Sequence, residues 1–434
     1  MIATIVIALV TFISITLSLI LFPQIKIGKV KIDVYWIIAL VGAVVLLATS
    51  LAPIKEVGNQ LISNTSINPL KILVLFFSMT LISIFLDELG LFRFLASRAA
   101  QRAKGSQFVL FFVLYGLTAL LTVFTSNDIV ILTLTPFICV FCKNSKINPI
   151  PYLIAEFAAA NTWSLMFVIG NPTNIYLATS AGINFIEYFK VMAIPTLCAG
   201  VIELGILFLL FFRKLKEPLT ASDVETHVED KPALIVGVIH LLICLIFLII
   251  SSYLNLEMWL ISAICAGSLL LFMLVYSIFK KTNWVVVGGS LKRLPYPLIP
   301  FFLSMFVIVV ALNSQGITST IASWFGNQNT IWIYGYTSFL TCNLINNIPM
   351  SILYSTLCQS LETTNYLAGI YASIVGSNIG AFLTPLGALA GIMFVGLVNK
   401  YEIKFRFIDF IKYGVVIAIP TISIALLMLF VFVK

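Results

Sequence analysis

Charged side chains are scarce in this chain: Asp, Glu, Lys and Arg together make up 10% of its 434 residues, where a soluble domain carries about 25%. That excludes a string of soluble domains and leaves a polytopic α-helical membrane protein. Histidine is scarcer still, only His227 and His240. HExxH, GxSxG and any cluster of metal-ligating residues are missing, so an intramembrane enzyme lacks an identifiable base, nucleophile or metal. The seven cysteines (139, 142, 198, 244, 265, 342 and 358) all fall within apolar segments, which excludes a secreted disulfide framework. Cys139 and Cys142 read as small apolar residues of a helix. No basic leader precedes the run 1–22, which reads as a retained span rather than a signal peptide. The net charge of +8 is dispersed in short clusters between apolar runs, a topology signal rather than a nucleic-acid surface.

What is abundant is apolar sequence, 61% of residues. Runs lie at 1–22, 34–53, 70–86, 150–180, 188–212, 232–253, 258–279, 297–312, 366–398 and 408–433. Two further runs carry a polar tip in the middle. Thr125-Ser126-Asn127-Asp128 separates Phe108–Phe124 from Ile129–Phe141, and Asn343-Leu344-Ile345-Asn346-Asn347-Ile348-Pro349 separates Ile331–Leu340 from Met350–Leu361. An Asp in mid-bilayer on a lipid-facing helix costs ~2.5–3.5 kcal/mol on the lenient insertion scale. A re-entrant hairpin whose tip lines a polar cavity avoids that cost. The expected architecture is therefore all-α, with ten spanning helices and two re-entrant hairpins, at 105–143 and 330–361.

With both termini outside a plasma membrane, most Lys and Arg fall in cytoplasmic loops: Lys26, Lys29 and Lys31; Arg93 to Lys104; Lys143 and Lys146; Arg213 to Lys231; Lys280 to Arg293; and Lys400 to Lys412. Lys55, Lys71, Lys190 and Lys434 stay outside. Treating either hairpin as a full crossing would turn the later clusters outward, against the positive-inside tendency. The first hairpin then enters from the cytoplasm and the second from outside, which predicts two inverted repeats, 1–213 and 232–434, joined by a cytoplasmic linker at 214–231. His227 in that linker reads as solvated.

Segments 150–180 and 366–398 are too long for single crossings. Ile169-Gly-Asn-Pro-Thr-Asn174 interrupts the first and Leu383-Thr-Pro-Leu-Gly387 the second. Gly and Pro inside an apolar helix release backbone groups that need partners, and matched broken helices in two halves point to a transporter site. At the first tip, Ser126 or Asn127 can cap the following helix, whose positive end then faces the cavity. Such an end favours anions, and the hydroxyl and carbonyl oxygens suit Na+. A cargo anion ~4 Å from ionised Asp128 would be repelled by ~4 kcal/mol at an effective dielectric of ~20. Asp128 is thus expected to be protonated or cation-paired when an anion is bound, which makes it the foremost coupling carboxylate. Glu156 is a second candidate. Glu203 and His240 read as polar residues satisfied by neighbouring helices, and Asp87-Glu88 as a structural pair for Arg93.

Ser126-Asn127-Asp128 with Pro136, Gly170-Asn-Pro-Thr-Asn174, Asn346-Asn347-Ile-Pro349, and Gly376-Ser-Asn-Ile-Gly380 followed by Thr384-Pro385 resemble the motifs of the ion transporter superfamily. That group holds arsenite permeases, sodium-coupled dicarboxylate and citrate carriers and certain sodium–proton antiporters. The similarity runs over nearly the whole chain, and Leu86-Asp-Glu-Leu-Gly90 resembles arsenite permeases in particular. The resemblance implies a homodimer with a fixed scaffold and a mobile part carrying both hairpins, moving elevator-fashion. It implies a binding set of Thr125, Ser126, Asn127, Asp128, Asn171, Pro172, Thr173, Asn174, Asn346, Asn347, Asn378, Thr384 and Pro385. Na+ would be held by Ser126, Asn127, Gly170, Asn346 and Thr384. Two departures matter. Dicarboxylate carriers have Ser-Asn-Thr at both tips, where this chain has Asp128 and Asn347. Arsenite permeases carry carboxylates at positions matching Asn161 and Asn378.

The functional expectation is a secondary transporter for a small anion or oxyanion, coupled to Na+ or H+ and needing no cofactor beyond that ion. Sodium–proton exchange and arsenite efflux are the alternatives. A channel fits less well, because matched broken helices favour alternating access over an open pore.

Overall fold

The structure, a computed structural model, describes residues 1–27, 30–65, 68–103, 105–217, 228, 230–280 and 283–432. Lys29, Lys104, Lys281, Lys434, His227 and most of the linker 214–231 lie outside the described residues. Helices dominate, as the apolar runs require. Their starts carry local signals: Asn68 accepts from Leu70 N at 2.9 Å ahead of Pro69, and Asn184 and Glu187 form a reciprocal capping box. Helices Lys231–Leu254 and Met258–Phe279 leave large apolar side chains such as Ile246, Leu271 and Phe279 exposed, as a hydrocarbon solvent demands.

Among the described residues nine helices are long and apolar enough to cross a membrane. This census differs from the expected ten spans. It includes both 18-residue arms of the first hairpin, Gln107–Phe124 and Asn127–Asn144, and omits Val34–Ala48, which is 15 residues long. Geometry rather than length makes the first pair of arms a hairpin. Gln107, at the start of the first arm, accepts from Tyr152 Oη at 2.9 Å, and Tyr152 lies at the start of the helix that follows the second arm. The chain therefore returns to the level it left. The tip meets the far end of that following helix, where Asn127 Nδ2 donates to Asn161 Oδ1 at 3.1 Å. Helix rise puts the tip about 14 Å from the Tyr152 level, close to half a bilayer core of ~30 Å.

The second hairpin, Thr330–Ile345 and Asn347–Cys358, opens toward the opposite face. Its open end is tied by Asn327 to Glu362 at 3.3 Å and by Asn365 to the Asn327 carbonyl at 3.1 Å. The two broken helices run antiparallel past each other. Ile150–Trp163 packs its Phe157 against Phe394 and Phe410 on one face. Beyond its break, the chain reaches Tyr188, whose ring packs at a tilt against Tyr371 of Thr363–Gly380 toward the other. The N-terminal amine donates to Gln315 at 3.1 Å, and Phe430 packs on Trp332, so both chain ends sit at the face where the second hairpin opens.

Small residues bring the second broken helix against the second hairpin: a Cβ at Gly380 would meet Cys342 Sγ at 2.5 Å and the Phe339 carbonyl at 2.7 Å. One element departs from an all-α reading, a two-stranded antiparallel ribbon of Gln24–Ile27 and Val30–Asp33 pairing Gln24 with Asp33. Its alternating β-branched residues suit a strand.

Candidate functional site

The first tip is a helix start without a cap. The helix begins at Asn127, and Ser126 occupies the capping position, yet its hydroxyl makes no capping bond. Ser126 (6% exposed) and Asn127 (1% exposed) bury Oγ and Oδ1 respectively, neither with a partner among the described residues. Unpaired polar oxygens are costly in an apolar interior, so two at one tip call for a partner that the described residues do not supply. Asp128 follows, half-buried, with no hydrogen bond or ion pair among the described residues. Thr125 turns inward, its hydroxyl bonded to Leu121 O at 2.7 Å.

The second tip is latched. Asn346 takes φ 72° with ψ 156°, outside the left-handed helical basin and in a region that residues other than Gly seldom occupy. Its Nδ2 donates to Leu386 O at 3.2 Å, and Asn347 N donates to Gly387 O at 3.0 Å. Asn343 Oδ1 accepts from Thr384 N at 3.1 Å and Thr384 Oγ1 at 2.7 Å. This second tip thus closes on the break at 381–388.

Both tips line one cavity of about 500 Å³: Ser126 and Asp128 from the first, Asn347 and Ile348 from the second, with Asn171, Pro172, Ala388 and Leu389 from the two breaks. The opposite wall comes from Tyr35, Phe76, Thr80 and Leu298, and the mouth from Gln24, Asp33 and Arg293. The mouth lies at the face that the Lys and Arg clusters predict to be cytoplasmic.

Several expected binding residues do not reach this cavity. Asn378 Oδ1 accepts from Ser164 Oγ at 2.7 Å and Asn171 Nδ2 at 3.0 Å, while its Nδ2 donates to Asn174 Oδ1 at 2.6 Å and Ile374 O at 2.8 Å. Ser377 Oγ donates to Thr173 Oγ1 at 2.7 Å. Asn378, Thr173 and Asn174 therefore join the two broken helices, and Thr384 and Pro385 lie behind the second tip. Gly170 packs on the Ser164 carbonyl, leaving no room for a Cβ. Of the sodium ligands implied by the resemblance, Ser126 and Asn127 have free oxygens. Thr384 Oγ1 is engaged with Asn343 and Leu386, and Asn346 Oδ1 accepts from Ile348 N at 3.4 Å.

Glu156 does not line the cavity. It accepts from Thr135 Oγ1 at 3.0 and 3.1 Å between the hairpin and the first broken helix. Glu203 is satisfied by Tyr115, at 3.0 Å, and by Thr162, and His240 Nδ1 bonds Val236 O at 2.8 Å.

The partner of Asp87 and Glu88 is Arg293 rather than the expected Arg93: Arg293 Nη1 lies 2.6 Å from Asp87 Oδ2 and 2.7 Å from Glu88 Oε1. Arg93 is the basic group nearest in sequence, but the third dimension brings a more distant one closer. Arg293, Asp33, Gln24, Tyr35 and Thr80 are polar residues of the cavity lining that sequence reasoning missed, and no local pattern marks them.

The chain is 24% identical over 412 residues to an arsenical pump membrane protein of Escherichia coli, spanning 89% of this chain and 91% of that protein. It is 24% identical over 425 residues to a putative arsenical pump membrane protein of Bacillus subtilis (strain 168), spanning 90% and 92%. The crystal structure of the YdaH transporter of Alcanivorax borkumensis shares the fold with a TM-score of 0.53 at 16% identity, over 99% of this chain and 97% of that one. A family match described as citrate transporter runs from Asp33 at the cavity mouth to Gly376 in the second broken helix. It takes in both polar tips, and the chain accordingly belongs to the citrate transporter (CitMHS) family of membrane transporters.

Proposed function

We propose that the chain is a secondary active transporter for a small anion or oxyanion, coupled to Na+ or H+ through Asp128. The observation that carries this reading is the meeting of Asp128 and Asn347, one from each hairpin, in a single cavity. The unpartnered oxygens of Ser126 and Asn127 beside them suit a small cation that exchanges part of its hydration shell for protein oxygens. Ionised Asp128 repels an anionic cargo, so binding of a proton or Na+ there is the condition for cargo to enter. In this reading 1–213 and 232–434 act as inverted repeats, and the hairpins and broken helices move against the helices at 69–88 and 298–314. The unit is a homodimer in the plasma membrane with both termini outside.

Arsenite efflux is the second reading. It is favoured by the arsenical pump relatives and by the engagement of Arg293, the cationic group of the cavity lining, with two carboxylates. Neutral arsenous acid needs no cationic partner, whereas a tricarboxylate does.

Proteoliposomes loaded with labelled arsenite, phosphate or citrate under imposed Na+ or proton gradients test both readings. Gradient-driven flux that Asp128→Asn abolishes supports coupling through this residue, and the cargo that moves separates the readings. Flux indifferent to both gradients and to Asp128→Asn sinks the proposal. Na+-dependent pH changes with chloride as sole anion would favour sodium–proton exchange instead.

A further inference from the structure

A second cavity lies across the molecule from the first. It holds about 260 Å³, with an exposed rim of Thr65, Asn313 and Gln359 and a buried floor of Tyr176, Ile352 and Ser355. Its lining is hydroxyl, amide and apolar, with no charged side chain among the described residues. It opens at the face that carries both chain ends, opposite the mouth at Arg293.

The same helices wall both cavities. Pro172 lines the central cavity and Tyr176, one turn on, lines the crevice; Ile348 and Ile352 repeat this pairing, and Leu298 and Phe306 do so two turns apart. A gap of about 10 Å³ adjoins the central cavity on this side, walled by Ile72, Phe76, Pro172, Leu298, Phe302 and Ile348, among others. Phe302 packs edge-on to Tyr176, centroids 5.4 Å apart. A gap of that size is at the lower limit for one water, and this lining offers it no polar partner. An ion crossing the seam would shed its hydration with nothing to replace it.

We infer that the crevice of Asn313, Ser355 and Gln359 is the far portal of the transport path, and that Phe302, packed on Tyr176 and backed by Phe76, is the dry seal between the two portals in this conformation. The inference rests on the transporter reading above. The uncharged lining suits a small hydroxyl-bearing or hydrated cargo that exchanges hydrogen bonds as it leaves, rather than one held by ion pairs. Phe76 and Phe302 belong to helices 69–88 and 298–314, whereas Tyr176 and Ile348 belong to a broken helix and a hairpin. Sliding one set past the other by a turn would put Leu298 or Phe306 at the level of Phe302, so the seam stays apolar while the portals exchange.

The test uses the full-length protein in proteoliposomes holding a proton or Na+ gradient with no cargo. Wild type should hold the gradient, Phe302→Ala should dissipate it several-fold faster, and Phe302→Leu, which keeps apolar bulk, should stay near wild type. In right-side-out and inverted vesicles, Ser355→Cys and Gln359→Cys should react with a membrane-impermeant maleimide from the face bearing the termini. Gly396→Cys, which lines the central cavity in open space, should react from the other face, with wild type as the blank for native thiols. A well-folded Phe302→Ala protein as tight as wild type overturns the seal, and labelling of Ser355→Cys only from the Gly396 face overturns the portal. If Phe302→Ala does not fold, the labelling pattern decides. Absence of cargo transport in wild type would count against the proposed function alone, because leak and labelling need no cargo.

Discussion

Asn378 Nδ2 donates to Asn174 Oδ1 at 2.6 Å, so the two broken helices are joined amide to amide at the centre of the molecule. All the hydrogen-bonding capacity of the Asn378 side chain is used within the protein. Asn378→Ala, which leaves several buried partners unpaired, should cost ~1–3 kcal/mol or more. Asn378→Asp turns an oxygen toward Asn174 Oδ1 and the Ile374 carbonyl and buries a charge, for which ~3–5 kcal/mol is the scale. Thermal unfolding of the detergent-solubilised variants should rank wild type above Ala above Asp.

Asp128→Asn should leave stability within about 0.5 kcal/mol of wild type, because Asp128 has no bonded partner among the described residues to lose. The same substitution removes the only carboxylate at the first tip. Melting temperature and gradient-driven flux should therefore separate: the first unchanged, the second lost.

Arg293→Gln should destabilise the protein. Asp87 is 2% exposed, and its other oxygen, Oδ1, already lacks a partner. Removing the guanidinium strands that carboxylate, though Arg293 itself is partly exposed and water can screen the loss. The lower end of ~3–5 kcal/mol is expected. Combining it with Asp87→Asn should recover part of the loss, and a double-mutant cycle measures the coupling.

Gly376→Ala should cost ~1–3 kcal/mol through overpacking. A Cβ there would meet the Gly335 carbonyl and Ser338 Oγ, with Phe339 N at 2.8 Å, and backbone atoms cannot step aside. Gly116→Ala, whose Cβ meets nothing within 4 Å, is the control and should be neutral or slightly stabilising in the same melt.

The polar tips, the two breaks and the positions of the apolar runs were legible because each is a local matter. Apolar length, a Gly or Pro that releases backbone groups, and an Asn or Ser able to sit at a helix start are all read within a few residues. The ribbon at 24–33 was missed because four-residue strands between long helices carry too little periodic signal. The roles within the motifs were less legible. Ser126 and Asn378 both sit in polar clusters of similar composition, yet one oxygen is left free and the other is fully used.

From the residues alone came a membrane chain with two interrupted helices and two polar tips, because in hydrocarbon every interruption of a helix must be answered by a polar partner. Which partner answers was decided only by the folded chain. Arg293 reaching Asp87, Asn343 latching Thr384, and Asp128 sharing a cavity with Asn347 join positions far apart in sequence. Such pairings depend on how whole helices pack, and no short stretch of sequence encodes that.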